Sequence, residues 1–229
     1  MAVWQVCPVA VVLGVDGCRG GWLGARVADR RHVRWLALPD ADAVLAVDAV
    51  VTGIDIPIGL PDAERRACDV AARARLGPRR SAVFPAPVRA VLDATSYPDA
   101  CRRSRAARGV AVSRQTWNIV PRIADVDAAL QARPRVHERV VEVHPELSFR
   151  MLAGVPLAAK HTAAGAALAC WLDVAAALRD LPPGAPRPDA LDALAAAWSA
   201  QRWLQGAAVR LPAAEVGRDR VGHPMRIVA

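Results

Sequence analysis

At 229 residues the chain is long enough to bury a sizeable core and fits one domain with an insertion better than several domains. Hydrophobic residues at 54%, charged residues at 23% and a mean hydropathy of +0.19 exclude a disordered chain and an integral membrane protein. The formal net charge of +8 turns attention to acidic or phosphate-bearing partners.

Residues 9–16 (VAVVLGVD) form a continuous apolar run ending in Asp-Gly, the pattern of a strand buried on both faces. WLGARVAD (22–29) and HVRWLAL (32–38) alternate and are separated by Asp29, Arg30 and Arg31, which predicts an antiparallel meander of three strands. Residues 40–49 start on Asp and space their apolar positions near 3.6, predicting a short helix; VVTGIDIP (50–57) is a fourth strand, stopped by Pro57. A strand, helix, strand connection implies parallel pairing.

From Pro57 to Arg135 Pro-rich turns alternate with helical stretches such as 62–76 and 98–108, so residues 57–135 are read as a helical, Arg-rich insertion within a single domain spanning 1–229. ERVVEV (138–143) is a fifth strand, ended by His144-Pro145, and helices are expected at 146–152, 162–178 and 189–204. The order is that of an RNase H-like α/β fold. Its mixed five-stranded sheet would have strands 1–3 as an antiparallel meander, strands 1, 4 and 5 parallel, and helices on its faces.

The first 15 residues carry no basic region and lead into Asp16 and Arg19 without a small-residue cleavage site, and the alanine-rich run 162–178 is interrupted by Asp173. Five scattered cysteines (Cys7, Cys18, Cys68, Cys101, Cys170) include no C-x-x-C pair, so neither a disulfide framework nor a zinc site is indicated. A cytoplasmic protein with no membrane partner is expected. The basic residues are one lysine and 29 arginines, and residues 62–115 hold twelve Arg against five Asp or Glu. That segment carries nearly the whole positive excess, the footprint of a nucleic-acid partner or equally a solvated helical face.

The carboxylates give a sharper signal. Asp16 ends strand 1, Asp55 ends strand 4 and Glu142 lies near the end of strand 5; sites in open α/β sheets form outside the carboxyl ends of parallel strands, where these three acids would converge. Each also has an ordinary explanation as a turn or exposed strand residue. Asp189 and Asp192, three apart in PDALDALAAAW (188–198), share one helical face, and helix capping is the competing account of both. Clustered carboxylates need a cation to remain ionised, and an oxygen-only set selects Mg2+ or Mn2+. Two such ions would support hydrolysis of a phosphodiester.

The chain resembles the predicted RNase H-like nucleases grouped as domain-of-unknown-function family 429. The likeness runs through GVDGCRGGW (14–22), IDIPIGLP (54–61), RRACDVAARARLGPRRSAVFPAPVR (65–89), SRQTWNIVPRIADVD (113–127), VEVHPELSF (141–149) and DALDALAAAWSA (189–200). A wider resemblance is to Holliday-junction resolvases, whose strand-1 Asp, strand-4 acid and two Asp in a DxxDA helix start imply that Asp16, Asp55, Asp189 and Asp192 are metal ligands. Pro188 departs from the family, which often has an additional acid at that position.

The expected site is therefore Asp16, Asp55, Glu142, Asp189 and Asp192, as catalytic residues and as ligands of two Mg2+ or Mn2+ ions. Arg79, Arg80, Arg89, Gln115, Asn118 and Lys160 are the candidates for holding substrate, while His144, Glu146 and Trp117 have weaker claims. The function expected first is a nuclease acting on DNA or RNA. The alternatives are a catalytically silent nucleic-acid-binding protein of the same fold and, behind it, an actin-like phosphotransferase, against which the lack of an internal repeat and of a second Gly-rich motif argues.

Overall fold

A computed structural model describes residues 10–29, 32–154 and 160–229, with the side chains of 160–163 outside the description. The first three strands are β1 (Val12–Cys18), β2 (Gly21–Val27) and β3 (Val33–Leu38), antiparallel as the alternation predicts. Helix α1 (Ala41–Ala46) follows, started by Asp40, whose side chain accepts the Ala43 amide at 2.8 Å. It leads to β4 (Val51–Ile54), parallel to β1.

Between β4 and the next strand lie α2 (Ala67–Leu76), α3 (Tyr97–Arg108) and α4 (Arg114–Gln131), with short 3-10 turns at Gly77–Ala82, Arg89–Val91 and Pro134–Glu138. Ser96 and Ser113 cap α3 and α4, and Gly109, in the left-handed region, ends α3. Strand β5 (Val140–Val143) is parallel to β4 and leads into α5 (Pro145–Ala153), α6 (Lys160–Ala169), α7 (Val174–Arg179) and α8 (Arg187–Leu204). The chain closes with β6 (Arg210–Leu211) and β7 (Ile227–Val228).

The sheet is mixed, as expected, but has seven strands among the described residues rather than five, in the order β3-β2-β1-β4-β5-β7-β6. The two additions are two residues long; β7 pairs parallel to β5 and β6 antiparallel to β7. The single helix expected over 162–178 is two helices. Asp173 accepts the Ala176 amide at 2.9 Å and begins a new one, because an Asp side chain competes with the backbone for the first-turn donors. Among the described residues no helix is long and apolar enough to cross a membrane.

Helix α8 lies directly on β1 and β4. A Cβ added at Gly14 would come within 2.0 Å of the Ala193 carbonyl, and one added at Gly53 within 2.6 Å of that of Ala196. The alanines of α8 are the matching surface: Ala193, Ala195, Ala196 and Ala197 are fully buried. On this face Val12, Val51, Val141, Val143 and Val228 join α8 in one core cluster. On the other face Leu13, Val15, Ile54 and Val140 pack with Ile123, Val126 and Leu130 of α4 and with α1.

Candidate functional site

Strands β1 and β4 run parallel and end at one edge of the sheet, where Asp16 and Asp55 are both half-buried. Val15 pairs with Ile54, and the Asp55 amide continues the ladder by donating to the Val15 carbonyl at 2.9 Å. Side chains alternate along strands, so Asp16 and Asp55 fall on the face of Gly14 and Gly53, the face that α8 covers. Asp16 Oδ1 also accepts the Gly17 amide at 2.7 Å; β1 runs two residues past the expected end at Asp16, to Cys18, because Gly17 and Cys18 still pair with β2.

Helix α8 carries the remaining pair of acids near its start and brings Asp189 toward this edge. Its cap position is Pro186, which has no N–H for a reciprocal capping box and makes no side-chain cap bond, so capping does not account for Asp189 and Asp192. Asp189 is half-buried in the first turn and Asp192 is buried one turn further on. The Cys18 thiol reports the approach of Asp189: burial raises its pKa, the charges of Asp189 and Asp16 raise it further, and Arg122 opposes them.

The same alternation sends Glu142 to the face opposite that of Asp16 and Asp55. Glu142 pairs with Ile54, not Asp55, and so shares the opposite face with Val140. There it meets the buried Arg66: Nη1 donates to Oε2 at 2.7 Å and Nη2 to Oε1 at 2.8 Å, while the Ile58 amide donates to Oε2 at 2.7 Å. Arg66 Nη2 also donates to Asp69 Oδ1 at 2.5 Å, and Asp69 Oδ2 accepts the Ala86 amide at 3.0 Å. Burial pushes the Glu142 carboxyl up to about 7 against the pull of Arg66. With both oxygens engaged, Glu142 joins β5 to the insertion while also lining the cavity that Asp16 and Asp55 line.

A cavity of about 350 Å³ opens over this edge, lined by Asp16, Asp55, Arg122, His144, Glu146 and Phe84 and also by Arg66, Asp69 and Glu142. Arg122, from α4, lies over Gly17, where an added Cβ would be 3.0 Å from its Cδ and Nε, and Nη2 donates to the Cys18 carbonyl. It is the cation placed beside Asp16. His144 Nε2 lies 3.3 Å from the Ala82 carbonyl, and Glu146 Oε1 accepts from Arg79 Nη2 at 3.1 Å.

The residues expected to hold substrate are dispersed. Arg79 borders the cavity through Glu146, and Arg80 is exposed next to it. Arg89 is only 5% exposed and lies inside the fold, its guanidinium donating to Asp127 at 2.8 Å twice over and to Asp219. A guanidinium so engaged holds the insertion to the chain's last segment and does not face a phosphate. Gln115 and Asn118 are exposed on α4, Asn118 beside the β1–β2 turn with Trp22 and Arg122. Trp117 packs against Tyr97. Lys160 opens α6, and its side chain lies outside the described residues.

Arg66 and Arg122 were not singled out from the sequence, although both lie within the stretches that carry the family resemblance. Their partners, Glu142 and the β1 turn, are 76 and 104 residues away. Part of the positive excess of residues 62–115 is also taken up within the fold: Arg66 and Arg89 are buried, and the half-buried Arg73 and Arg108 donate to the Val83 and Ala86 carbonyls.

The donor set at this edge is oxygen-only, which suits Mg2+ or Mn2+. Among the described residues no group of three or more His, Cys, Asp or Glu is arranged to hold an ion. Mg2+ is ordinarily held by one or two carboxylates together with waters and substrate phosphate oxygens rather than by an all-protein cage. A pair of aspartates on adjacent strands, with Asp189 of α8 approaching the same end of β1, fits that provision.

The family described as "Protein of unknown function (DUF429)" matches residues 14–216, a span that begins at Gly14 and takes in every acid of the edge. No curated protein and no solved structure matches the chain.

Proposed function

We propose, for a chain that belongs to the DUF429 family, that it is a metal-dependent phosphodiesterase with an RNase H-like fold, hydrolysing nucleic acid. The observation that carries this reading is the level pairing of Asp16 and Asp55 on adjacent parallel strands, opening into a cavity beside Arg122. Asp16, Asp55, Asp189 and Asp192 are the residues that would hold Mg2+ or Mn2+. When bound, two such ions supply an activated water and neutralise the charge that develops on the phosphodiester.

The chain's own groups serve this chemistry as positioners. Gly17 N–H fixes one oxygen of Asp16, the direct seating of α8 on Gly14 and Gly53 fixes the helix that carries Asp189 and Asp192, and Arg122 offsets the local negative charge. Arg79 and Arg80, at and beside the cavity, are the side chains proposed to steer the substrate backbone. Free cysteines at positions 18, 68, 101 and 170 support a reducing, cytoplasmic setting.

The test is cleavage of single-stranded, duplex and branched DNA and RNA by the purified protein in Mn2+. Metal-dependent products that vanish with Asp16→Asn support the reading; their absence from every substrate overturns it. A silent nucleic-acid-binding protein of the same fold is the second reading, since Arg79 and the exposed Arg80 would hold a phosphate backbone with or without turnover. It predicts salt-sensitive binding that survives Asp16→Asn without turnover at any metal concentration.

A further inference from the structure

The chain has two phenylalanines, and the fold treats them oppositely. Phe149 is 1% exposed in the core, whereas Phe84 is 47% exposed and stands in the wall of the cavity above Asp16 and Asp55. Among the described residues it is the one aromatic side chain of the exposed large hydrophobics.

The exposure does not come from a slack loop. Val83, on one side, is 2% exposed; its carbonyl accepts from Arg73 Nη1 at 2.6 Å and its amide donates to the Arg80 carbonyl at 3.3 Å. Ala86, on the other side, is 2% exposed; its amide donates to Asp69 at 3.0 Å and its carbonyl accepts from Arg108 at 3.2 Å. Pro85 and Pro87 restrict the backbone between and beyond these anchors. Asp69 is in turn tied to Arg66 and so to Glu142 at the end of β5. The ring is thus held out into the cavity by the same buried network that braces the sheet edge.

An apolar, planar surface in the wall of a cavity whose other functional groups are carboxylates and arginines matches a ligand that is itself planar at one end and anionic at the other. We infer that Phe84 is a stacking platform for the nucleobase adjacent to the phosphodiester at Asp16 and Asp55, so that the site takes unpaired rather than duplex nucleic acid. The inference rests on the phosphodiesterase reading above and specifies its substrate class. Within a duplex both faces of each base are covered by neighbours, and a single ring on the protein has no face to meet unless the base is flipped out. An unpaired base offers its face freely, and such stacking tolerates any base identity.

The experiment measures binding by fluorescence anisotropy, with Ca2+ in the buffer, of four labelled probes: a ten-nucleotide DNA strand, its RNA equivalent, a blunt duplex of that length, and a DNA strand made abasic throughout. Wild-type protein is expected to prefer the two base-bearing single strands. Phe84→Ala should weaken both by roughly tenfold and leave the abasic strand unchanged, since alanine offers a base no ring to stack on. Phe84→Tyr should keep the binding and Phe84→Leu should behave as the alanine variant, because only an aromatic face stacks. The RNA and DNA arms show which sugar the site accepts.

Equal binding of single strands by wild type and Phe84→Ala overturns the inference, as does full retention by Phe84→Leu or an equal loss on the abasic strand. If Mn2+-dependent cleavage persists in those cases, the phosphodiesterase reading stands without it. If single strands bind through Phe84 but no substrate is cut, the stacking site stands and the phosphodiesterase reading falls.

Discussion

Asp16 and Asp55 stand at the same level of neighbouring parallel strands, because Val15 pairs with Ile54 and the Asp55 amide bonds the Val15 carbonyl. Two carboxylates side by side repel, and a cation between them relieves that repulsion. Replacing either with asparagine keeps the shape and removes one charge. Asp16→Asn and Asp55→Asn are each expected to slow metal-dependent cleavage by about a hundredfold or more, the scale on which losing one preorganised electrostatic group slows a reaction. Steady-state rates across a Mn2+ titration check this. Unchanged rates would remove both residues from the site.

The approach of α8 yields the second prediction. Gly14 has no room for a methyl group, with Ala193 O and Ala197 N at 2.0 and 2.1 Å from an ideal Cβ, both backbone atoms that cannot swing aside. Gly14→Ala is expected to push the helix off β1 and destabilise the fold by about 3 kcal/mol, at the upper end of overpacking costs. Gly53→Ala, with its nearest atom at 2.6 Å, should cost less. Urea denaturation gives both values, and the order of the two variants is the discriminating result.

The sequence made these faces readable in part. The unbroken apolar run into Asp16 and the alternation after it are strong local signals, and β1, β2, β3, α1 and β4 follow the expected order. The register between β4 and β5 is not written in either segment. Glu142 is one position out of step with Asp55, and that single step sends its side chain to the opposite face. Strands β6 and β7, two residues each, are too short to show alternation and exist through their pairing with β5 and each other. Arg89, a natural candidate for phosphate on charge alone, is internal because Asp127 and Asp219 reach it from 38 and 130 residues away.

The Arg66 network gives a pH-dependent prediction. Glu142 has its carboxyl raised from 4.5 to about 7 by burial, so its contribution to stability is fully present below about pH 4.5 and is lost as pH rises through about 7. Glu142→Gln should remove this component and flatten the denaturation midpoint between pH 5 and 8. Arg66→Met leaves two buried carboxylates facing each other and is expected to destabilise by about 3–5 kcal/mol at pH 8. The loss should be smaller at pH 5, where Glu142 is protonated. A pH-independent loss would show that Arg66 acts through packing alone.

Asp219 has the opposite sign. Burial works to raise its carboxyl, but the Leu60 amide at 2.9 Å, Arg89 and the His223 amide at 2.8 Å hold it below the ordinary value of 3.8. Its stabilisation is therefore present above about pH 4 and lost as pH falls through its depressed value. These bonds fasten the segment before β7 to the loop after β4 and to Arg89, so their loss frees the outer strands of the sheet as well as one side chain. Asp219→Asn keeps the shape but weakens the acceptor for Arg89, and is expected to cost about 3 kcal/mol at pH 7. Denaturant titrations at pH 7, 5 and 3 check the sign. The gap between wild type and variant should be wide at pH 7 and 5 and begin to close at pH 3, because the unfolded chain's carboxyl takes up its proton first and the native one only as pH falls through its depressed value. A gap that stays constant would mean that the carboxylate's charge contributes nothing there and that its hydrogen-bonding shape alone holds the segment.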